Sequence, residues 1–239
     1  MSHFVVSKPT PVLNTSDFKG VFCENMPFDN RGLIQEIEMI ALSGMVFKLE
    51  KSLLDDIIEV TSEDYPTRRK IFVDQRFGRL EDTPTPFVRS CPPLLSIIER
   101  MKKCVDIPYM WGGNCSTGIP EWKHYYPPPQ RVLTTKEELY WTFKGLDCSG
   151  LLYEVTDGYV PRNTSEQKAI GQKLSIDSAF KPLDLFFFPG HVFVCLNETE
   201  VIESSLSCGG VVVTSLQNRL KEVNMRDLVV KRFHPETLD

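Results

Sequence analysis

A cysteine with polar neighbours stands where a loop is expected to turn into a helix. It lies in the segment Gly145-Leu-Asp-Cys148-Ser-Gly-Leu-Leu152, and apolar residues follow at helical spacing as far as Val155. A thiol in the first turn of a helix lies near unpaired N–H groups, at the positive end of the backbone dipoles. There the pKa of a cysteine falls from about 8.5 towards roughly 3.5–7.5. The pattern predicts a nucleophilic thiolate at Cys148; the alternative is a buried structural cysteine.

A nucleophilic cysteine needs a base, and the chain contains four histidines: His3, His124, His191 and His234. His3 and His234 lie near the termini, and His124 lies in a proline-rich stretch expected to be a loop. His191 opens the apolar run His-Val-Phe-Val-Cys-Leu, which is typical of a buried strand. A strand holds an imidazole firmly, as a general base requires. We predict His191 as the base; the alternative is a core histidine bonded to backbone.

A third polar residue is expected on the next strand. The run Glu200-Val-Ile-Glu203-Ser-Ser follows a polar turn near Asn197, and a hairpin symmetric about that residue pairs His191 with Glu203. The Glu203 carboxylate would then accept the second imidazole N–H and orient the ring. A register slip of one residue would reverse the facing, and Glu203 would be a solvated strand residue.

Four motifs follow one another along the second half of the chain. They are Pro108-Tyr-Met-Trp-Gly-Gly113, Leu146-Asp-Cys-Ser-Gly-Leu151, Pro161-Arg-Asn-Thr-Ser-Glu-Gln167 and Lys181-Pro-Leu-Asp-Leu-Phe-Phe-Phe-Pro-Gly-His191. Their order resembles the NlpC/P60 cysteine peptidases over roughly residues 94–216. The resemblance implies an α+β, papain-like fold in which the cysteine opens a helix packed on an antiparallel sheet. It also implies hydrolysis of bacterial peptidoglycan stem peptides, typically between γ-D-glutamate and meso-diaminopimelate or lysine.

The resemblance assigns catalytic roles by position. Cys148 becomes the nucleophile and His191 the general base. Glu203 falls where the family has a third polar residue, usually histidine and sometimes Asn or Gln. A glutamate there departs from the pattern, and its charge should raise the His191 pKa and favour a thiolate–imidazolium pair. Tyr109 would help shape the oxyanion site beside the Cys148 backbone N–H; the alternative is a packed aromatic.

The resemblance also implies substrate-binding residues. Asp147 and Ser149 flank the nucleophile, at positions that bind the free amine of the peptide in related recycling enzymes. Arg162 and Thr164 match the family's Arg-x-Thr/Ser-x-x-Gln stretch and are expected to meet a substrate carboxylate, for which an arginine fork is suited. Arg162 could equally be a surface residue.

The stretch between the Trp-Gly-Gly motif and the cysteine is longer than the resemblance implies. Residues 114–144 form an insertion that carries the run Pro127-Pro-Pro129 and the aromatic residues Trp122, Tyr125, Tyr126, Tyr140 and Trp141. Loops of this length tend to be lids or binding loops. The alternative is that the aromatics pack against the domain.

The N-terminal third alternates short β-like runs with turns, which favours a small barrel. The runs begin at Gly20, Ile34, Met45, Ile57 and Lys70. The resemblance implies an SH3-like (SH3b-type) β-barrel that can line one side of the active-site cleft. We therefore predict an SH3b-like domain over residues 1–90 and a catalytic domain over 91–239 that contains the 114–144 insertion. A proline-rich linker over 81–93 joins them, and a helix opens at Leu94.

Composition gives little support to a nucleic-acid-binding, membrane-spanning or metal-binding protein. The chain has 239 residues with a net charge of −5 and no strongly basic stretch, so nucleic-acid binding has little support. No run approaches the roughly 18 apolar residues of a membrane span. No cofactor motif or metal-site spacing is visible, and we expect neither.

Cysteine usage and the N-terminus favour a cytoplasmic protein. The seven cysteines lack paired spacing, as is common in a reducing compartment. The N-terminus lacks the charged-then-apolar layout of a secretion signal. We expect an enzyme that trims recycled stem peptides or muropeptides; export by a route not readable here is the alternative. Within the same cleft, an N-acetylmuramoyl-L-alanine amidase, an acyltransferase or a catalytically silent muropeptide-binding module stays open.

Overall fold

A computed structural model describes residues 2–238 of the chain, which divide into two compact units. The first unit combines the chain up to Val88 with Met110–Gly145. The second combines Arg89–Tyr109 with the chain from Leu146 onward. The division of the chain into an SH3b-like domain over 1–90 and a catalytic domain over 91–239 stays a prediction. The 114–144 insertion, however, belongs to the first unit and not to the unit that carries the cysteine.

The strands are β1 (His3–Val6), β2 (Thr10–Leu13), β3 (Ile37–Ala41), β4 (Val46–Ser52), β5 (Ile57–Thr61), β6 (Ile71–Asp74), β7 (Gly78–Glu81), β8 (Asn114–Cys115), β9 (Gly145–Leu146), β10 (Gln172–Leu174), β11 (Leu185–Phe188), β12 (His191–Cys195), β13 (Glu200–Ser205), β14 (Gly210–Ser215) and β15 (Val229–Arg232). The helices are α1 (Phe18–Val21), α2 (Leu94–Lys103), α3 (Trp122–Tyr125), α4 (Thr135–Trp141), α5 (Cys148–Val155), α6 (Thr164–Gln167) and α7 (Leu216–Glu222). Short 3₁₀ turns cover Gln75–Phe77 and Pro235–Thr237.

The first unit contains an antiparallel sheet in the order β3-β2-β6-β5-β4-β1-β7. Within residues 2–238, β3 pairs only with β2 and β7 only with β1, so two edges stay open. Closure would require those edges to pair, and the predicted SH3-like barrel is therefore not shown. The β-like run predicted from Gly20 is wrong: it falls in and after the helical turn α1, whose Gly20 N–H donates to the Asp17 carboxylate.

The insertion supplies aromatic residues to the core of the first unit. Trp122 and Trp141 are fully buried and contact the Phe22 ring edge-on, at centroid distances of 5.3 and 5.9 Å. Trp122 also stacks on Tyr126 at 4.3 Å. Burial of such large rings contributes strongly to stability. The segment is therefore packed chain with two helices rather than an irregular loop, and His124, predicted on a loop, lies in α3.

The second unit contains an antiparallel sheet in the order β10-β15-β11-β12-β13-β14. Phe186 on β11 and Phe193 on β12 are register partners, and their rings stack 4.7 Å apart in its core. The predicted helix from Leu94 forms as α2, and α5 packs on β12 and β13. The unit thus mixes helices and strands, and the cysteine helix lies on an antiparallel sheet, as the α+β prediction requires.

The β12–β13 hairpin differs from its predicted register. Val194 pairs with Ile202 and Cys195 with Val201, so the hairpin is centred on Glu198 and not on Asn197. The cause is local: the Asn197 side chain accepts from the backbone N–H groups of Thr199 and Glu200 and builds the turn after itself. The direct His191–Glu203 pairing is therefore wrong. Moving the centre by one residue displaces the partner by two, which leaves both residues on the same face.

Candidate active site

Cys148 is the first residue of α5. The Asp147 side chain caps this helix by accepting the Gly150 N–H at 2.7 Å, which fixes the sharp entry into the first turn. The cysteine is 8% exposed, at the helix end where first-turn N–H groups have no intrahelical partner. The local sequence thus places a sulfur and backbone donors at the same point.

His191 opens β12 and faces both Cys148 and Glu203. Its Nε2 lies 2.5 Å from Oε2 of Glu203. Burial by itself lowers the His191 pKa, but the interactions with Cys148 and Glu203 outweigh it and raise the pKa to about 9. The Phe188 ring lies 5.0 Å from the imidazole and restricts it further. The imidazole is therefore held in its charged form at neutral pH, beside the thiol.

Glu203 lies between His191 and a residue that sequence reasoning missed. The guanidinium of Arg219 on α7 donates from Nε to Glu203 Oε1 at 2.5 Å and from Nη2 to Oε2 at 3.0 Å. Burial raises the Glu203 pKa, but the hydrogen bonds from His191 and Arg219 more than offset it and hold the pKa below its usual value. Sixteen residues separate Arg219 from Glu203, and no short-range pattern links them; a basic residue on a helix directly after a sheet strand is the single signal available.

Asp147 and Arg162 form a buried ion pair beneath the nucleophile. Arg162, 2% exposed, donates from Nη2 to Asp147 Oδ2 at 2.6 Å and from Nη1 to Oδ1 at 3.0 Å. Its Nη1 also donates to the Ser149 hydroxyl at 3.0 Å, and Gln167 donates to the Ser149 carbonyl. These contacts anchor the residues on both sides of Cys148. Binding of a substrate amine or carboxylate by Asp147, Ser149 or Arg162 stays a prediction, and their geometry supports a scaffolding role.

Thr164 and Tyr109 lie on two other segments near the nucleophile. The Thr164 hydroxyl, at the start of α6, is 3.8 Å from the Cys148 sulfur. The backbone of Tyr109 bridges to Leu146, and its N–H donates to the Gly209 carbonyl at 2.9 Å. The structure thus brings Thr164 to the sulfur and Tyr109 to the strand that leads into it. The oxyanion role of the Tyr109 side chain stays a prediction.

The described chain offers neither a metal cluster nor a membrane-spanning helix. Between residues 2 and 238, no cluster of three or more His, Cys, Asp and Glu side chains could hold a metal ion. Over the same residues, no helix has the length and apolar character to cross a membrane. The chemistry that the site can perform is nucleophilic attack by sulfur, with proton transfer through an imidazole oriented by a carboxylate.

Comparison with known proteins places this arrangement among related chains. The model of the NlpC/P60 family matches residues 106–229. No curated protein matches the sequence. Among solved structures, an NlpC/P60 family protein from Bacillus cereus is 16% identical, with a TM-score of 0.42, over 98% of this chain and 64% of that one.

Two mycobacterial structures match a smaller part of the chain. The peptidoglycan hydrolase RipB of Mycobacterium tuberculosis is 26% identical, with a TM-score of 0.41, over 58% of this chain and 63% of that one. RipD of the same organism is described as a non-catalytic NlpC/p60 domain protein adapted to peptidoglycan binding. It is 21% identical, with a TM-score of 0.39, over 58% of this chain and 95% of that one. This chain spans less than two thirds of the Bacillus cereus protein and of RipB.

Proposed function

Because this chain belongs to the NlpC/P60 family, whose members are generally peptidoglycan hydrolases, we propose that it is a cysteine endopeptidase of stem peptides. The bond it hydrolyses joins γ-D-glutamate to the diamino acid, meso-diaminopimelate or lysine. The observation that carries the proposal is the Cys148–His191–Glu203 arrangement. A thiol at a helix start, a charged imidazole and a buried carboxylate acceptor are the parts that acyl transfer through sulfur requires.

The first half of the reaction forms an acyl-enzyme. The Cys148 thiolate attacks the γ-carbonyl carbon of D-glutamate, and the carbonyl π electrons move to oxygen. Backbone N–H groups at the start of α5 stabilise that oxyanion. The His191 imidazolium then donates its proton to the amine nitrogen of the diamino acid. The C–N bond breaks, the amine leaves, and a thioester joins the glutamyl group to sulfur.

The second half of the reaction regenerates the enzyme. Neutral His191 accepts a proton from water as the water oxygen attacks the thioester carbon. Collapse of the tetrahedral intermediate breaks the C–S bond, which releases the γ-carboxylic acid of the peptide and restores the thiolate–imidazolium pair. The released acid then loses its proton to solvent water. Glu203 accepts the Nε2–H hydrogen bond and keeps the ring oriented throughout.

The proposal includes action on recycled stem peptides in the cytoplasm. Its support is the unpaired spacing of the seven cysteines, together with the better protection of a free catalytic thiol where disulfides are rare. Fractionation of cells that carry the tagged full-length protein tests this part separately. Recovery of the protein outside the cytoplasm would contradict it and leave the chemistry untouched.

The chemistry is tested with a defined tripeptide, L-Ala-γ-D-Glu-meso-diaminopimelate, and product identification by mass spectrometry. Wild type should release L-Ala-γ-D-Glu, and Cys148→Ala should be slower by at least about 10³-fold. Cys208→Ala is the matched control, because Cys208 is an exposed cysteine of the same unit and should be dispensable. Cleavage of a muramoyl–alanine bond in a muropeptide would instead identify an amidase. Binding of the tripeptide without any cleavage would identify a binding module.

A further inference from the structure

The Glu203 carboxylate, which contacts His191, also forms an ion pair with a second cation, Arg219. Both oxygens of Glu203 accept from Arg219, at 2.5 Å from Nε and 3.0 Å from Nη2, while Oε2 also meets His191 Nε2. This two-point geometry is the strong form of an arginine–carboxylate bond. It fixes the plane of the carboxylate, and therefore the direction in which Oε2 faces the imidazole.

Aromatic rings hold the guanidinium in place. Its central carbon lies 5.2 Å from the Phe188 ring centroid and 5.3 Å from that of Phe193, and the side chain is 14% exposed. Phe188 also contacts His191, so one ring touches both cationic partners of Glu203. A further carboxylate, Glu222 on the same helix, lies 3.2 Å from Nη1 and is largely exposed. Planar stacking of this kind is available to arginine but not to lysine.

The charges around Glu203 explain why a second cation is needed. The Glu203 side chain is 3% exposed, and a buried carboxylate without a positive partner is strongly disfavoured. His191 can be that partner only while protonated, and the proposed reaction makes it neutral once in every turnover. Arginine stays charged at all relevant pH values. Arg219 therefore supplies a positive charge at the moments when the imidazole does not.

We propose that Arg219 is a positioning residue for the Cys148–His191 pair, which keeps Glu203 ionised and oriented through both protonation states of the imidazole. The inference rests on the proposed function in that it takes this pair as the reactive one. In this proposal the Glu203–Arg219 pair orients the imidazole, as a neutral polar side chain would otherwise do. The pairing with arginine explains why a carboxylate can stand at this position.

The consequence is a shift in pH dependence. The ionisable groups that face His191 and its carboxylate are Cys148 on α5, Glu203 on β13, and Arg219 with Glu222 on α7. Removal of the positive charge at Arg219 makes protonation of each neighbouring group easier. The falling limb of any profile that requires the His191 imidazolium should therefore move to higher pH, by about one unit.

The experiment measures alkylation of Cys148 by iodoacetate across pH, read by mass spectrometry of its peptide, and needs no substrate. Iodoacetate is an anion that the imidazolium attracts, so the rate should fall as His191 loses its proton. Cys208, exposed and in the same unit, is the internal reference thiol. Arg219→Gln should shift the His191 limb to higher pH, whereas Arg219→Lys, which retains the charge, should keep the wild-type limb with a lower rate. Arg226→Gln is the matched control, because Arg226 is exposed and has no described bond to Glu203, and it should superimpose on wild type.

A double variant separates positioning from folding. In the Glu203→Gln background Arg219 has no carboxylate to hold, so adding Arg219→Gln should shift the profile by less than it does when Glu203 is present. The double variant also removes both charges together, so it keeps the test available if Arg219→Gln alone does not fold. Thermal unfolding of every variant reports the structural contribution independently.

Two results would overturn the proposal. One is an Arg219→Gln profile that coincides with wild type while only the melting temperature falls, and the other is an equal shift in the presence and absence of Glu203. Failure of the proposed function looks different: the shift would be present, and no stem peptide would be cleaved. Cleavage by wild type together with an unshifted profile would retain the peptidase and remove the role of Arg219.

Discussion

His191 and Glu203 lie on one face of the β12–β13 hairpin without being register partners, and their Nε2 and Oε2 atoms are 2.5 Å apart. The contact is therefore diagonal across the two strands. A diagonal separation suits a glutamate, whose side chain is long enough to span it. Its geometry makes the carboxylate an orienting group for the imidazole.

Replacement of Glu203 tests that role. Glu203→Ala removes the acceptor and strands the Arg219 guanidinium, so turnover of the tripeptide should fall by about 10²-fold or more. Glu203→Gln and Glu203→His keep an acceptor and should recover part of the loss. Steady-state kinetics of the three variants provide the measurement. Equal turnover rates in all three variants would show that Glu203 does not orient His191.

The pH dependence of activity follows from the His191 pKa of about 9. The reactive pair requires a protonated imidazole, so kcat/KM should decline above about pH 9 as that proton is lost. The rate of Cys148 alkylation by the anion iodoacetate, which the imidazolium attracts, should follow the same upper limit. An upper limit near pH 6.5, the ordinary histidine value, would show that the Cys148 and Glu203 contacts do not stabilise the imidazolium.

The same pKa predicts a change in stability with pH. The folded pKa of His191 is raised from 6.5 to about 9, so its stabilisation is complete below pH 6.5 and is lost as pH rises through 9. Between pH 6.5 and 9 the melting temperature of wild type should fall relative to that of His191→Gln. The expected fall is a few degrees for a chain of this size. Parallel curves for the two proteins would contradict this linkage.

The buried pair beneath the nucleophile should dominate the stability of the second unit. Arg162→Ala leaves the Asp147 carboxylate buried beside an empty site and should cost about 3–5 kcal/mol of unfolding free energy. Arg162→Lys should recover part of this, because it keeps the charge and loses the fork. Chemical denaturation measures both, with the exposed Arg226→Ala as control. A cost below about 1 kcal/mol would show that Arg162 does not anchor Asp147.

The insertion should behave as structured chain. Thr134 and Glu137 form a capping box at the start of α4, so Thr134→Ala should lower the unfolding free energy by about 1 kcal/mol. Trp141 is fully buried, so Trp141→Ala should lower the unfolding free energy by about 3–5 kcal/mol. Thr85→Ala, at an exposed site, is the neutral control. Full tolerance of Trp141→Ala would support the loop interpretation.

Local sequence determined the placement of the reactive groups. Asp147 before Cys148 is a helix cap, and the apolar run from His191 is a strand, because both patterns depend on neighbours within a few residues. The prediction that His191 and Glu203 share a face was correct although the predicted hairpin centre was wrong. Side chains alternate between the two faces of a strand, so a shift of two residues in the pairing leaves the face unchanged. The expectation of an α+β, papain-like fold came instead from the family resemblance of the four motifs.

Tertiary structure alone decided what surrounds those groups. The Arg219 fork on Glu203 and the Arg162 fork on Asp147 join residues 16 and 15 positions apart, and no periodic pattern encodes such pairs. The open sheet of the first unit and the burial of the 114–144 aromatics in that unit were equally out of reach. Short-range propensities decide which elements form, whereas the pairing of charges and the partner of a hydrophobic face depend on where distant parts of the chain meet.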